Sequence, residues 1–181
     1  MNGTKSSAVH GPQATSGLRI LTLRVNGSVY RCAAAPQALL LDILREEFRL
    51  VGTKRGCDMG TCGCCNVLID GKAVPSCLVL AFDCEDKEIQ TVEGLSLEED
   101  GHLHPLQEAW AHSGGSQCGF CTPGFLMTSK ELLACNPNPS REEIERALSG
   151  NVCRCTGYQK IVDAVSLAAK NMREWKEGGK Q

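Results

Sequence analysis

The chain has 181 residues, a formal net charge of −2, twelve cysteines and only 4% aromatic residues. This length suits one large domain or two small ones with a buried core. Charges of both signs are interspersed, which excludes the basic footprint of a nucleic-acid-binding protein. No apolar run approaches the roughly 20 residues of a membrane span, and the N-terminus lacks a signal-peptide core. We therefore expect a cytoplasmic protein whose cysteines serve metal or redox chemistry rather than disulfides.

A small domain is predicted over residues 18–97. Residues 1–17, before it, are small and polar without a period, so we expect a disordered extension. Apolar residues alternate on both sides of Asn26-Gly27, the strongest two-residue hairpin signal, so a β-hairpin opens the domain. Residues 39–48 carry apolar side chains at helical spacing, which predicts an amphipathic helix of about three turns packed on the sheet.

A loop rich in cysteine and glycine follows this helix. Cys57, Cys62 and Cys65 have the C-x4-C-x2-C spacing that, with a later cysteine, is typical of a plant-type [2Fe–2S] site. A loop around such a cluster turns sharply between ligands, and residues without a Cβ do so with the least strain. The glycines available for these turns are Gly56, Gly60 and Gly63.

The remainder of this domain is predicted to be β-structure. Residues 66–69 and 73–80 form two strand-like runs joined by an Asp-Gly turn, so the fourth ligand, Cys77, would lie on the return strand. Residues 87–92 supply a last strand. Hairpins with one helix across them give an α+β arrangement.

A helical domain is predicted over residues 98–172, followed by a flexible tail over residues 173–181. Ser140 with Glu143 three residues later forms a capping box, the clearest helix start in this part. His104 is expected to lie in a solvated loop before the first helix. Four short helices, which suggest a compact bundle, are expected to begin after His104, at Pro123, after Ser140 and after Gly157.

A second group of cysteines lies in two loops of the helical domain. Cys118 and Cys121 precede the second helix, whereas Cys153 and Cys155 precede the fourth. If these two helices run side by side with their N-termini together, four thiolates converge where helix dipoles and free amide groups favour negative charge. The sequence therefore predicts a second cluster site, although this spacing alone would also suit a four-thiolate zinc site.

Three stretches of the chain resemble the iron–sulfur subunit or domain of molybdenum hydroxylases. They are residues 56–65 (GCDMGTCGCC), residues 117–124 (QCGFCTPG) and residues 151–158 (NVCRCTGY). This family includes xanthine dehydrogenase, aldehyde oxidoreductase, carbon monoxide dehydrogenase and 4-hydroxybenzoyl-CoA reductase. The resemblance covers residues 18–168. It implies a β-grasp, plant-type ferredoxin-like first domain and a four-helix-bundle [2Fe–2S] second domain.

The resemblance also implies roles for particular residues. In that family an inner cluster lies beside the molybdopterin, with its molybdenum, of a large partner subunit, and an outer cluster passes electrons to a FAD subunit or another acceptor. Gln117 would hydrogen-bond the pterin, and Cys155 would lie against the pterin's amino group. The outer cluster would be held by Cys57, Cys62, Cys65 and Cys77, and the inner one by Cys118, Cys121, Cys153 and Cys155.

Cys64 departs from the family pattern, which commonly has a small non-ligand residue at that position, and it leaves two ligand sets open. We favour Cys65 as the ligand, because the C-x2-C spacing fits the loop and the expected strand starts at residue 66. Cys64 would then be a bystander. The cysteines without ligand spacing, which we expect to behave as small buried hydrophobic residues, are Cys32, Cys84 and Cys135.

Two other functions fit parts of the sequence. A free-standing ferredoxin-like carrier with two clusters would explain the cysteines but leaves Gln117 without a purpose. A structural zinc-binding interaction module would use the same thiols without redox chemistry, and its metal content would reveal it. Because the chain has no phosphate loop and no G-x-G-x-x-G motif, flavin and molybdopterin are expected on partner chains.

Overall fold

A five-stranded mixed sheet forms the first part of the computed structural model, which describes residues 17–96 and 103–178. The strand order is β2-β1-β5-β3-β4, with β1 parallel to β5 and the other neighbours antiparallel. With the helices of the second part, this sheet confirms the α+β class. The strands are β1 (Arg19–Val25), β2 (Ser28–Ala34), β3 (Asn66–Ile69), β4 (Lys72–Pro75) and β5 (Glu88–Gln90).

Both predicted hairpin turns are present. Asn26 and Gly27 have φ values of 51° and 75°, and Asp70 and Gly71 have φ values of 49° and 80°. Two successive residues with positive φ match the twist of the flanking strands, which is why Asn-Gly and Asp-Gly are favoured there. The first turn sets the β1–β2 register, and the second sets the β3–β4 register on which the cysteine loop depends.

The helix predicted over residues 39–48 is shorter than the expected three turns. It consists of α1 (Leu40–Asp42) and a π-helical turn (Ile43–Glu47), in which the N–H of Phe48 donates to the carbonyl of Ile43 at 3.0 Å. Arg49 then takes a φ of 59° and ends the helix. The apolar face still packs on the sheet, because Leu40, Ile43 and Leu44 belong to the same buried core as β1.

The prediction that Cys77 lies on a return strand is wrong. β4 ends at Pro75, and Cys77 sits in the 3₁₀ turn Ser76–Leu78. The chain nevertheless stays beside the cysteine loop, because Ser76 donates its N–H (3.2 Å) and its hydroxyl (2.8 Å) to the carbonyl of Cys65.

Four further helices follow, starting close to the predicted positions. The capping box is confirmed, since Ser140 Oγ accepts from the N–H of Glu143 (3.3 Å) and Glu143 accepts from the N–H of Ser140 (2.6 Å). His104 is not in a solvated loop as expected: it is buried and its Nδ1 accepts from the N–H of Leu106 at 3.2 Å, capping α2. The helices are α2 (Pro105–Ser113), α3 (Thr122–Cys135), α4 (Arg141–Ala147) and α5 (Gln159–Gly178).

The ends of the predicted domains are only partly covered by the described residues. The extension, apart from residue 17, and the boundary between residues 97 and 98 lie outside them. Helix α5 continues to Gly178, past the expected end of the helical domain at residue 172. None of the described helices has the length and apolar character needed to cross a bilayer.

The two parts of the molecule share buried surface. Leu68 of β3 and Leu95 belong to the core of the helical part, together with Phe125 of α3. Asn66 donates to Thr128 Oγ1 at 2.9 Å, and Glu131 accepts from the N–H of Ala73 at 2.9 Å. Helix α3 therefore packs directly against β3, the strand that leads out of the cysteine loop, and against the neighbouring strand β4.

Gly124, in the first turn of α3, lies directly against the backbone of the cysteine loop. A Cβ at this position would overlap the carbonyl oxygen of Gly63 and lie 3.0 Å from the Cα of Cys64. These obstacles are backbone atoms, which cannot rotate away as the end of a flexible side chain could. Glycine is therefore required at this position by packing alone.

Replacing Gly124 with alanine is expected to lower the free energy of unfolding by about 3 kcal/mol, as an overpacked contact between backbones does. The measurement is urea denaturation of the wild type and the variant. Gly150→Ala is the matched control, because nothing lies within 4 Å of a Cβ at Gly150, and its effect should stay within about 0.5 kcal/mol. Equal effects of the two substitutions would contradict the packing account.

Candidate metal centres

The first group of cysteines forms two pairs around the loop of residues 56–65. Cys57 and Cys62 share a side-chain hydrogen bond, and so do Cys65 and Cys77; Cys62 also has a side-chain hydrogen bond with Cys64. The second pair is buried against Leu41, whereas Cys57 and Cys62 are partly exposed. The loop, the end of β4 and α1 thus position one surface pair and one buried pair.

The two pairs lie in different electrostatic surroundings. Hydrogen bonds from the N–H of Met59 and the side chain of Thr61 lower the pKa of Cys57 to about 6, so this thiol ionises readily at neutral pH. Burial raises the pKa of Cys65 to about 11, although the N–H of Cys77 partly opposes that shift. Cys57 therefore lies in the polar, partly exposed part of the site, and Cys65 lies in its buried, apolar part.

Cys64 is buried between the two groups of cysteines. Its pKa is raised to about 12 by burial and by the neighbouring thiols, among them Cys62 on one side and Cys121 on the other. Cys65, and not Cys64, is the residue that pairs with Cys77. This arrangement favours Cys65 as the ligand and Cys64 as the bystander.

The second group brings together the two loops that precede α3 and α5. The Sγ atoms of Cys118 and Cys155 are 3.7 Å apart, and the side chains of Cys121 and Cys153 are hydrogen-bonded. Cys118 and Cys155 are exposed, whereas Cys121 and Cys153 are partly buried. The two loops meet as predicted, with their cysteines again in pairs, but the expected reason is wrong: α5 packs mainly against α2 and does not run side by side with α3.

The pKa values within this group diverge. Burial, together with the neighbouring Cys153, raises the pKa of Cys121 to about 12. Burial also opposes ionisation of Cys153, but hydrogen bonds from the Thr156 hydroxyl and from the N–H groups of Cys155 and Thr156 outweigh it and lower the pKa of Cys153. The Sγ of Cys153 lies 3.1 Å from Thr156 Oγ1, 3.4 Å from Thr156 N and 3.5 Å from Cys155 N.

Paired thiols suit a two-iron group. In a [2Fe–2S] cluster with four cysteine ligands, each iron takes two of them, and each of the two groups supplies two pairs. Thiolate sulfur is also the donor that selects such clusters. Within the described ranges, no three His, Cys, Asp or Glu side chains are gathered closely enough to hold a single metal ion.

Direct hydrogen bonds join the two sites. The N–H of Val152 donates to the carbonyl of Cys62 at 2.9 Å, and the side chain of Asn151 donates to the carbonyl of Gly63 at 3.2 Å. Asn151 is 3% exposed, so this contact is shielded from water. The loop before α5 thereby holds the loop of the first site.

The remaining residues named from the sequence agree only in part with the burial that was predicted for them. Of the two residues that the resemblance assigns to the pterin, Cys155 belongs to the exposed pair, and Gln117 is exposed and immediately precedes the other member, Cys118. Cys84 is buried as expected. Cys32 is only partly buried, and the expectation is wrong for Cys135, which is exposed with its sulfur 3.9 Å from the Lys72 amine.

Three polar residues that serve these sites have no signature of that role in the sequence apart from their position. Thr61 and Thr156 donate to cysteine sulfurs, and Asn151 joins the two loops. All three lie within or next to a cysteine motif, which was the available signal. Their partners depend on local backbone turns and on contacts between the two parts of the molecule.

Known proteins resemble both parts of this chain. A family model described as a 2Fe-2S iron-sulfur cluster binding domain matches residues 23–97, and one described as a [2Fe-2S] binding domain matches residues 91–166. The nicotine 6-hydroxylase small subunit of Paenarthrobacter nicotinovorans is 52% identical over 145 residues, covering 80% of this chain and 86% of that protein.

Two further relatives extend this comparison. The xanthine dehydrogenase iron-sulfur-binding subunit of Escherichia coli O157:H7 is 47% identical over 146 residues, covering 78% of this chain and 88% of that protein. A chain in the crystal structure of quinoline 2-oxidoreductase from Pseudomonas putida 86 superimposes with a TM-score of 0.82 at 45% identity. That superposition covers 88% of this chain and 98% of the other.

Replacing Asn151 with alanine is expected to lower the free energy of unfolding by about 1–2 kcal/mol, because a buried hydrogen bond is lost. The Gly63 carbonyl still accepts from the N–H of Asn66 at 3.1 Å, which limits the loss. Chemical denaturation measures the effect, with Asn138→Ala, at an exposed position, as the control. If the two variants are equally stable, the buried contact does not hold the loops together.

Proposed function

This chain belongs to the iron–sulfur subunits of the molybdenum hydroxylase family, and from that premise we propose that it relays electrons through two [2Fe–2S] clusters. The electrons would pass between the molybdopterin of a large partner subunit and a flavin subunit or another acceptor. The observation that carries this proposal is the pairing of eight cysteines in two groups whose loops are joined by the Val152–Cys62 hydrogen bond.

Each proposed cluster has its own set of four cysteines. When bound, a [2Fe–2S] cluster takes up and releases one electron at a potential tuned by the protein around it. The cysteines hold the irons, and the neighbouring N–H and hydroxyl groups donate to their sulfurs. The outer set is Cys57, Cys62, Cys65 and Cys77, and the inner set is Cys118, Cys121, Cys153 and Cys155.

The exposed side of the inner set is the proposed contact with the large subunit. Phe120 is 46% exposed and Val152 is 49% exposed, and both lie next to inner cysteines in the chain. Both side chains would be shielded from water if the large subunit covered this side of the inner set. Gln117 and Cys155 would there contact the molybdopterin.

The outer set lies beside a second apolar surface. Met59, two residues after Cys57 in the cysteine loop, is 66% exposed. Leu78, which follows Cys77 in the 3₁₀ turn, is 59% exposed. We assign this surface to the electron acceptor, for which a FAD-containing subunit is the first candidate.

We also propose a fold for each of the two parts of the molecule and a cellular compartment for the complex. The sheet domain is assigned to the β-grasp, plant-type ferredoxin-like fold, and α2 to α5 to a four-helix-bundle cluster domain. We place the complex in the cytoplasm, where thiols stay reduced and available as ligands.

The proposal is tested on the complex purified from its native source. Two distinct [2Fe–2S] signals by electron paramagnetic resonance, about four irons per chain and a co-purifying large molybdenum subunit are expected. A colourless, zinc-loaded protein would rule out the relay. Two clusters without a large partner would instead identify a free-standing carrier.

Cys153→Ser is expected to remove the inner cluster signal and to stop electron flow from the pterin, while the outer signal remains. Serine lacks the thiolate that iron requires at this position. Electron paramagnetic resonance of the reduced complex measures both signals. Cys135→Ser is the matched control, because Cys135 is exposed and belongs to neither set, and two intact signals in Cys153→Ser would contradict the ligand assignment.

Cys64 and Cys65 can be separated by parallel substitutions. Cys65→Ala is expected to lose the outer cluster, because the partner of Cys77 is gone, whereas Cys64→Ala should keep both clusters. Iron content and the visible spectrum of each purified complex give the answer. The opposite outcome would show that Cys64 is the true ligand.

A further inference from the structure

Cys153, Thr156 and Tyr158 form a closed ring of hydrogen bonds at the inner site. The N–H of Cys153 donates to the Tyr158 hydroxyl at 2.9 Å, and the N–H of Tyr158 donates to Thr156 Oγ1 at 3.3 Å. The Thr156 hydroxyl then donates to the Sγ of Cys153 at 3.1 Å. Each residue in the ring therefore fixes the next.

The ring determines where the Thr156 proton points. A threonine hydroxyl has a single proton and two acceptor lone pairs. Because Thr156 Oγ1 accepts from the N–H of Tyr158, one lone pair is occupied and the proton is directed at the sulfur of Cys153. The donor is thus oriented before any charge arrives on that sulfur.

Tyr158 is held in place by its backbone and by its ring. Its φ of 69° lies in the left-handed region, which turns the chain back towards Cys153 after the Gly157 position. Its ring meets the edge of Phe125 with the centroids 6.2 Å apart, and Phe125 is fully buried. The hydrogen-bond ring is therefore anchored in the core of the helical part.

A donor aimed at a ligand sulfur has a definite effect on redox chemistry. Reduction adds one negative charge to a cluster and its thiolates, and hydrogen bonds to the sulfurs stabilise that charge and raise the reduction potential. Two N–H groups, of Cys155 and Thr156, reach the same sulfur but belong to the backbone. Thr156 thus supplies a side-chain donor to the Cys153 sulfur, which a substitution can remove without changing the backbone.

We propose that Thr156 is a positioning residue that raises the reduction potential of the inner cluster through its hydroxyl donation to Cys153. This inference rests on the proposed function, since it requires a cluster held by Cys153. It adds to that function the residue that sets how readily the inner site accepts an electron.

The test uses the intact complex and compares Thr156→Val, which removes the hydroxyl at nearly constant shape, with Thr156→Ser, which keeps it. A redox titration followed by electron paramagnetic resonance gives the midpoint potential of each cluster. Thr156→Val is expected to disfavour reduction of the inner cluster about tenfold, or about 59 mV for one electron, and Thr156→Ser is expected to stay near the parent value. The outer cluster serves as an internal reference and should not shift.

Thr122→Val is the matched control, since the Thr122 hydroxyl bonds to Ser116 Oγ at 2.7 Å and not to a cysteine. An unchanged inner potential in Thr156→Val, or an equal shift in Thr122→Val or in the outer cluster, would overturn the inference. If Thr156→Val fails to assemble, Thr156→Ala removes the same hydroxyl and is judged by the same outcomes. An inner signal missing from the parent complex would overturn the proposed function itself, so the two failures are distinguishable.

Discussion

The carbonyl group of Gly63 is the contact on which the arrangement of the two sites depends. It accepts hydrogen bonds from the N–H of Asn66 and from the buried side chain of Asn151. It fits against α3 because Gly124 has no Cβ to overlap it. The neighbouring carbonyl of Cys62 accepts from Val152. Backbone packing and buried hydrogen bonds therefore hold the two sites next to each other.

Each site combines thiols in opposite environments. Cys57 and Cys153 have lowered pKa values because hydrogen-bond donors surround them, whereas Cys65 and Cys121 have raised values because they are buried. A cysteine must lose its proton to bind iron, so the buried thiols would release protons when a cluster forms. In each group the thiol with the lowered pKa therefore loses its proton more readily than the thiol with the raised pKa.

Much of this architecture could be predicted from local chemistry. The Asn26-Gly27 and Asp70-Gly71 turns and the Ser140 capping box follow from short-range rules. These features require few residues, and each backbone preference agrees with the fold around it. The two groups of cysteines were likewise accessible, because motif spacing places their members on a few loops.

The errors arose where tertiary contacts override a local pattern. An apolar period of three to four residues does not distinguish an α-helical turn from a π-helical one, so the shortness of the Leu40–Glu47 segment was not visible. His104 was predicted to be a loop residue because its position before Pro105 does not reveal that its buried ring caps α2. The hydrogen-bond ring of Thr156 was hidden because it depends on the positive φ of Tyr158 and on packing against Phe125.

The exposure of Cys118 and Cys155 makes the subunit sensitive to oxidation before it assembles with other proteins. Both sulfurs face solvent at the rim of the helical part, where small oxidants can reach them. Buried cysteines such as Cys84 do not share this vulnerability. Because the two sulfurs are only 3.7 Å apart, an oxidant can join them as a disulfide, so a subunit that is not yet covered at this rim is exposed to oxidation until it assembles.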